Sequence, residues 1–185
     1  MKKLLLLTLV CTLILSCKGG FTRTLVFSRD EVQAKVAQKF PIDREAAVVK
    51  LVLTHPDVIL SEGSDRIGLK TDAEAKLPGG GLLGMVGIGK TSYKGMIYID
   101  GEVDYDPAAG EFFFTKGKVK ELAIEGVPEQ LNGPVSELAD AAASNNLNKV
   151  PLFKLNEQDM KERAAKFFLK KVKIKNGKLE ITVGL

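Results

Sequence analysis

Two long stretches of the chain alternate apolar or small residues with charged ones, and this alternation limits the fold more than any other feature. The first runs from Arg66 to Leu77 and the second from Tyr93 to Tyr105. Successive side chains of a strand point to opposite faces, so each stretch predicts a strand with one buried and one solvated face. Such strands form antiparallel sheets, whose apolar face needs a covering layer.

Further strands are predicted on both sides of these two. The apolar, β-branched run from Val48 to Leu60 precedes them. A fourth long strand begins at Glu111, with a bulge near Gly117 because the apolar residues change parity there. At the end of the chain, Asn176-Gly177 favours a type I′ hairpin turn. This hairpin sets Ile174 opposite Leu179, Val172 opposite Ile181 and Lys173 opposite Glu180.

The first of three predicted helices has the clearest signal. Ser28 and Glu31 have the spacing of a capping box. Pro41 ends the helix because it cannot continue the hydrogen-bond ladder. The residues that then fall on one apolar face are Val32, Val36 and Phe40.

Two further helices are predicted in the second half of the chain. A weaker, Ala-rich helix opens at Asn132-Gly133-Pro134. Asn156 caps the third helix. Its predicted buried face consists of Met160, Ala164, Phe167 and Phe168.

The beginning of the chain resembles a bacterial lipoprotein signal. Lys2 and Lys3 precede an apolar run of about a dozen residues, and Ile14-Leu15-Ser16-Cys17 is similar to the lipobox. The run is shorter than the ~20 residues that cross a membrane. The resemblance implies cleavage before Cys17, lipidation of its thiol and a membrane anchor. A plain secretory signal or an N-terminal membrane helix is the alternative.

The chain therefore divides into three parts. Residues 1–16 are the signal peptide, residues 17–23 a lipidated tether, and residues 24–185 a single domain large enough for its own core. The order of elements predicts the α+β class: a long curved antiparallel four-stranded meander packed on an N-terminal helix, then two helices and a C-terminal β-hairpin. Lys18 follows the cysteine, which by analogy with enteric sorting indicates the outer membrane of a bacterial envelope, facing the periplasm.

Composition excludes several classes of function. The chain has 27 basic and 23 acidic residues, and residues 1–16 hold two of the lysines. The mature formal charge is therefore about +2, which predicts no nucleic-acid binding. Only Cys17 remains after cleavage, so we expect no disulfide and no thiol ligand. With one His, no Trp and no G-x-S-x-G motif, we expect no enzyme activity, no metal and no cofactor.

Other ionisable residues are interpreted as structural. His55 is predicted to be a structural or surface histidine. Asp100, Glu102, Asp104 and Asp106 share one face of a strand, where lysines of the next strand can pair with them. The C-terminal part is rich in lysine. A solvated face explains these lysines, and contact with anionic lipid headgroups is the alternative.

Residues 84–91 match the nucleotide-binding pattern G-x-x-x-x-G-K-[ST] literally. A P-loop needs a helix after it, whereas the residues after Thr91 alternate as a strand, so we expect no nucleotide to bind. The same segment is an uncharged, glycine-rich apolar loop. It either lines a pocket mouth, touches lipid, or folds onto the core. The candidate ligand-binding residues are Leu82, Leu83, Met85, Val86 and Ile88 here, with Val32, Val36 and Phe40 on the first helix.

The mature chain resembles the YceB-like family of small bacterial envelope lipoproteins, a family of unknown function. The resemblance rests on the order of its motifs: Cys17, the capped helix from Ser28, the Tyr105-Asp106-Pro107 turn, residues 150–155 and the hairpin at Asn176-Gly177. It implies no catalytic residues. The layout is also similar to tubular lipid-binding folds of the bactericidal permeability protein type.

The predicted function is that of a non-enzymatic envelope lipoprotein. It binds the membrane through Cys17 and holds a lipid or other apolar small molecule between its sheet and helices. The alternative is a protein-interaction module at the envelope, with a filled core and no ligand.

Overall fold

The structure is a computed structural model that describes residues 22–46, 49–77, 92–155 and 168–184. Strands make up 61% of these residues. They form two antiparallel sheets, and the described helices are short. The described part of the protein is therefore mostly β.

The larger sheet has six strands in chain order and curls on itself. Its pairing is antiparallel throughout, with bulges in β3, near Pro56, and in β6, near Gly117. The bulge predicted near Gly117 is confirmed. The strands are β2 (Ile42–Ala46), β3 (Val49–Ile59), β4 (Arg66–Lys76), β5 (Ser92–Asp106), β6 (Glu111–Ile124) and β7 (Val150–Lys154).

The smaller sheet joins the two ends of the chain. Its strands are β1 (Thr22–Ser28), β8 (Phe168–Lys175) and β9 (Lys178–Gly184), with β9 in the middle. Asn176 and Gly177 both have positive φ, as a type I′ turn requires. The predicted cross-strand pairs of this hairpin are confirmed, from Ile174 opposite Leu179 onward.

Helix α1 (Arg29–Ala37) lies inside the curl of the larger sheet. It contacts both β3 and β7, although three other strands lie between β3 and β7 in the sheet. The predicted capping box is confirmed: the Ser28 N–H donates to Glu31 Oε2 across 2.8 Å. On its polar side, the Gln33 amide donates to the Pro56 carbonyl and accepts from the Val58 N–H, which bridges the bulge in β3.

Helix α2 (Glu129–Ala141) continues into a π-helical turn, Ala142–Asn146, and contacts β2, β3 and β6. The predicted start at Asn132 is wrong, because the helix begins three residues earlier, where it buries Leu131. The turn packs tightly on the bulge in β6. A Cβ added at Gly117 would lie 2.6 Å from the Ala143 carbonyl oxygen, so only glycine allows this approach.

The predicted α+β class is wrong. The four long strands of the meander are present, but two short strands extend the sheet to six, and the chain ends form a second sheet. The predicted tether, residues 17–23, overlaps the start of β1, and no strand is predicted over residues 22–28. They form β1 by pairing along their whole length with β9. Most of the third predicted helix lies outside the described residues.

The predicted position of Phe168 at the end of the third helix is wrong. It was expected on the buried face of a helix, but it is the first residue of β8 and its side chain is 57% exposed. The spacing of Phe167 and Phe168 fits a helix end and a strand start equally, and the pairing of Phe168 with Gly184 decides between them.

Candidate functional site

A groove of about 700 Å³ lies where the two sheets meet, and we call it the seam groove. Pockets for small molecules in proteins usually enclose about 300–1,000 Å³, so its size suits a ligand. The groove is lined by residues 169–173 of β8, Glu102 and Val103 of β5, and Gly63 and Asp65 of the β3–β4 turn.

Main-chain hydrogen bonds close one end of the seam groove. The Gly63 N–H donates to the Ile174 carbonyl across 2.9 Å, and the Ile174 N–H donates to the Ser64 carbonyl across 2.7 Å. The Asn176 N–H also donates to Glu62 Oε2, at 2.7 Å. The edge of the smaller sheet is thus joined to a turn of the larger one.

Apolar side chains form part of both walls. Val103 is buried on β5, while Leu169 and Val172 are half-buried on β8. Leu169 and Val172 lie opposite the buried Val183 and Ile181 of β9. The bulge between Leu169 and Lys171 lets both apolar residues face the core, although they are three positions apart. The groove therefore borders directly on the core.

The acidic groups on the β5 wall are already paired. Arg66 donates from Nε to Asp100 Oδ2 and from Nη1 to Glu102 Oε1, both across 2.7 Å. Lys116 Nζ lies 2.8 Å from Glu102 Oε2. The hydrogen bond from Lys116, with that from Arg66, lowers the pKa of Glu102 despite its partial burial. Glu102 is held as a carboxylate whose charge two cations offset.

The basic groups on the β8 wall, unlike these acidic groups, form no ion pairs among the described residues. Lys170, Lys171 and Lys173 are exposed, and within the described residues no acidic side chain forms an ion pair with them. Lys170 Nζ lies 5.9 Å from the centre of the Phe168 ring. Asp65, also exposed, is the groove's acidic residue without an ion pair in the described part. The groove therefore has an excess of positive charge.

The main chain of β8 adds a further donor. In this hairpin the Ile174 N–H and C=O point away from β9, toward the turn. Val172 lies two residues before Ile174, so its N–H and C=O point to the same open edge. Within the described residues, no other strand covers that edge. An unpaired N–H is an acceptor-binding group, so it can receive an oxygen of a ligand or of water.

A second groove, of about 650 Å³, lies on the larger sheet. His55 borders it, with φ of 48° in the β3 bulge, and its Nδ1 lies 3.0 Å from Asp72 Oδ2. The His55 side chain is 83% exposed, as expected of a surface histidine. The apolar residues here are Ala73, Met96 and Ala123. The imidazole of His55 and the carboxylate of Asp72 form a hydrogen-bonded pair, and the described lining of this groove contains neither Ser nor Cys.

The candidate ligand residues of the sequence divide into two groups. Val32 and Val36 are buried in the core and Phe40 packs partly buried against it. None of these three residues lines either of the two grooves described above. Their role in ligand binding stays a prediction. Cys17 and the apolar loop residues Leu82, Leu83, Met85, Val86 and Ile88 lie outside the described residues.

Sequence reasoning did not find the seam groove. Its lining comes from three segments that are distant in the chain and meet only through the packing of two sheets. The signal available was the Lys-rich sequence before Asn176-Gly177, in which Leu169, Val172 and Ile174 interrupt the lysines. That signal was interpreted mainly as a solvated face.

The described residues contain no cluster of His, Cys, Asp and Glu side chains able to hold a metal ion. Among the described helices, none has the length and apolar character needed to span a membrane. Ionisable groups that line the seam groove are engaged in ion pairs or lie exposed on its rim. This arrangement suits binding better than proton transfer or nucleophilic attack.

The fold and the site together define a class: a mostly β protein of two sheets with a ligand-sized groove between them. Residues 27–178 match the model of a family described as protein of unknown function (DUF1439). The match covers well over half of the chain, and the protein belongs to this family. No curated protein sequence matches the chain.

Proposed function

We propose that this protein is a lipid-anchored protein of the bacterial envelope that binds a lipid or another apolar ligand in the seam groove and catalyses no reaction. The observation that carries the proposal is the groove itself: about 700 Å³ at the junction of two sheets, bordered by Val103, Leu169 and Val172. Ligand pockets of this size commonly combine apolar walls with a few polar groups.

The anchor rests on the sequence. A basic start, an apolar run and Ser16-Cys17 have the form of a lipoprotein signal. A protein held at a bilayer meets lipid at high local concentration, so even a groove of modest affinity would be occupied. The YceB-like resemblance and an outer-membrane location belong to this proposal.

The place of the ligand differs from the one expected at first. The space between α1 and the sheet contains Val32, Leu53, Phe112 and Leu152, which are fully buried. A ligand placed there would have to fit among these buried side chains. The seam groove is open in the described part of the structure, and a ligand can enter it without displacing the core.

A protein-interaction module is the second candidate function, and one observation favours it. Within the described residues, no strand pairs with the outer edge of β8 next to the groove. An exposed edge can accept an extended segment of another protein as an additional strand. In that case the groove would hold side chains of a partner instead of an acyl chain.

Native mass spectrometry of the purified full chain, with and without a fluorescent fatty-acid probe, tests the proposal. We expect a mass increase that fits one lipid. Leu169→Ser should weaken probe binding about fivefold, since it removes roughly 1 kcal/mol of apolar contact. Val26→Ser is the matched control: Val26 is 52% exposed on β1 of the same sheet but does not line the groove.

Two outcomes would contradict this function. If the wild-type protein binds no lipid and no probe, the groove is not a lipid site, and the protein-interaction function gains support. If Leu169→Ser and Val26→Ser weaken binding equally, the probe binds elsewhere. For the anchor, Cys17→Ala should release the protein from the membrane fraction, and incorporation of labelled fatty acid into this variant would contradict lipidation.

A further inference from the structure

We propose that the seam groove is selective for an anionic lipid of the membrane to which the protein is anchored, with the headgroup on β8 and the acyl chain along the apolar walls. This inference deepens the proposed function and rests on it. It names the chemical class of the ligand, a lipid with a phosphate or carboxylate headgroup, and the residues that recognise it.

The balance of charge in the groove carries the first step. Glu102 accepts hydrogen bonds from both Arg66 and Lys116, so it does not repel an anion as a free carboxylate would. Lys171 and Lys173 form no ion pair in the described part of the chain, although Glu180 of β9 lies opposite Lys173. β8 supplies three lysines to the groove lining, and exposed Asp65 together with the neighbouring Glu180 offsets two of these positive charges. An anionic group of a ligand would therefore neutralise the net positive charge of the groove, whereas a cationic group would be repelled by it.

The arrangement of β8 carries the second step. Lys171 and Lys173 share one face of the strand, and Val172 between them turns its side chain to the other, apolar face. The Val172 N–H points outward from the open edge of β8, at a position between Lys171 and Lys173. The strand thus presents two lysines on one face, a main-chain donor at its open edge and an apolar side chain on the other face. A molecule that is anionic at one end and apolar at the other matches this order.

The position of the groove relative to the anchor carries the third step. Thr22 pairs with Gly184, and Gly184 pairs with Phe168, so these three residues lie in a row at one end of the smaller sheet. Two strand spacings, about 10 Å, separate Thr22 from Phe168. Five residues lead from Cys17 to Thr22, which span at most about 18 Å.

The end of β8 therefore cannot lie far from a bilayer that holds Cys17. Phe168 at that end is 57% exposed, and Lys170 follows two residues later. Aromatic and basic side chains together are typical of surfaces that meet lipid headgroups. The groove runs from this end toward the turn at Gly63, so a lipid can pass from the bilayer into it headgroup first.

Lysines on an edge strand also have a simpler role. They prevent edge-to-edge association of sheets, and this role requires no ligand. The two roles predict different results when Lys171 and Lys173 are neutralised. Loss of edge protection would promote association and leave any lipid preference unchanged. Loss of a headgroup site would remove the preference and leave the oligomeric state of the protein unchanged.

The test compares two fluorescent lipids with identical acyl chains, a phosphatidylglycerol and a phosphatidylcholine. Purified full chain is titrated with each in detergent at low and at high salt. We expect the wild type to bind the phosphatidylglycerol about tenfold more tightly at low salt, and the preference to shrink at high salt. Lys171→Gln with Lys173→Gln should reduce the preference to within about twofold while phosphatidylcholine binding is unchanged.

The matched control is the double variant Lys175→Gln with Lys178→Gln. These lysines face each other across the same hairpin and lie outside the groove, so the net charge changes equally. It should keep the full preference. If it loses the preference as well, the effect comes from net charge and the assignment to the groove is overturned. Inorganic phosphate at millimolar concentration should compete weakly, and full competition would overturn the role of the acyl chain.

The remaining outcomes separate this inference from the proposed function. If the wild type binds both lipids with equal affinity, the anionic preference is wrong and lipid binding stands. If it binds neither lipid, the proposed function itself fails. If the variant in which Lys171 and Lys173 are neutralised associates into oligomers but retains the preference, the lysines protect the edge and the inference is overturned.

Discussion

The main-chain N–H of Ile174 donates a hydrogen bond to the carbonyl oxygen of Ser64, 2.7 Å away. The Ser64 hydroxyl in turn accepts from the Arg66 N–H at 2.9 Å, so the turn that receives β8 is itself fixed. Arg66 then pairs with Asp100 and Glu102. A continuous series of hydrogen bonds thus runs from the smaller sheet to the wall of the seam groove.

Removing the Glu62 side chain should loosen this junction. Glu62→Ala loses the acceptor of the Asn176 N–H, and we expect a decrease of about 0.5–1 kcal/mol in the free energy of unfolding. Amide hydrogen exchange, followed by NMR, should accelerate at Ile174 and Asn176. Glu137→Ala, on an exposed position of α2, is the control. Unchanged protection at both amides would show that the main-chain bonds hold the junction alone.

A side chain at Gly101 should collide with Phe114. A Cβ added there would lie 2.1 Å from the Phe114 Cζ, so the ring would have to move within the core. We expect Gly101→Ala to lower the free energy of unfolding by about 1–3 kcal/mol, measured by urea titration. With Phe114→Leu also present, the loss should be smaller than the sum of the two single losses. Strict additivity would mean that the ring does not limit this position.

The stability contributed by Glu102 should disappear in acid. Its pKa in the folded protein lies below 4.5, first because Lys116 donates to it and further because Arg66 does. A group with a lowered folded pKa stabilises the fold above its unfolded pKa, and this stabilisation is lost as pH falls through the folded value. Glu102→Gln should therefore be less stable than wild type at pH 7. The gap should narrow as the pH falls through this lowered pKa.

Urea titrations of both proteins at pH 7, 5 and 3 measure that gap. Glu121→Gln is a suitable control, since Glu121 is exposed on β6 and forms no ion pair within the described residues. A gap for Glu102→Gln that stays constant from pH 7 to pH 3 would contradict the ionised pair.

The capping box should contribute to the stability of α1. Ser28→Ala removes the side-chain acceptor of the Glu31 N–H and should cost about 1 kcal/mol, while Ser28→Asp should retain most of it. Ser136→Ala on the exposed side of α2 controls for a change of helix propensity. Thermal unfolding of the three variants measures the differences. Equal losses for Ser28→Ala and Ser28→Asp would rule out capping as the cause.

The apolar loop provides a prediction that depends on the sequence alone. Replacing Leu82, Leu83 and Val86 with Ser should leave the fold stable and weaken the uptake of a fluorescent fatty-acid probe. Thermal unfolding and probe titration are measured on the same sample. If the triple variant unfolds, these residues belong to the core instead of guiding a ligand.

Local patterns predicted the parts of the fold whose stability is local. The hairpin at Asn176-Gly177, the alternation of β4 and β5 and the capping box at Ser28 each depend on residues close in the chain. For the same reason β1 and β2 were missed. In β2, Ile42 is the one buried residue, and pairing with β3 supplies the rest of its stability.

The candidate site was less predictable than the fold. The lysines of β8 were visible, but a basic strand looks the same whether its neighbour is solvent or the wall of a groove. The decisive partners, Gly63 and Glu102, are separated from β8 by many tens of residues and reach it through two different turns. Only the pairing of distant segments defines that arrangement.

The pairing of β1 with β9 has a consequence for how the protein forms. Seven residues near the start of the chain, Thr22–Ser28, find their partners in Lys178–Gly184, almost at its other end. While the chain is being synthesised, β1 has no strand to join, and contacts of such high sequence separation form late. The larger sheet can complete its pairing earlier, so the seam groove comes into existence only with the last strand. Truncation by even a few C-terminal residues would leave β1 with an unpaired edge, by which proteases and chaperones can distinguish unfinished molecules from finished ones.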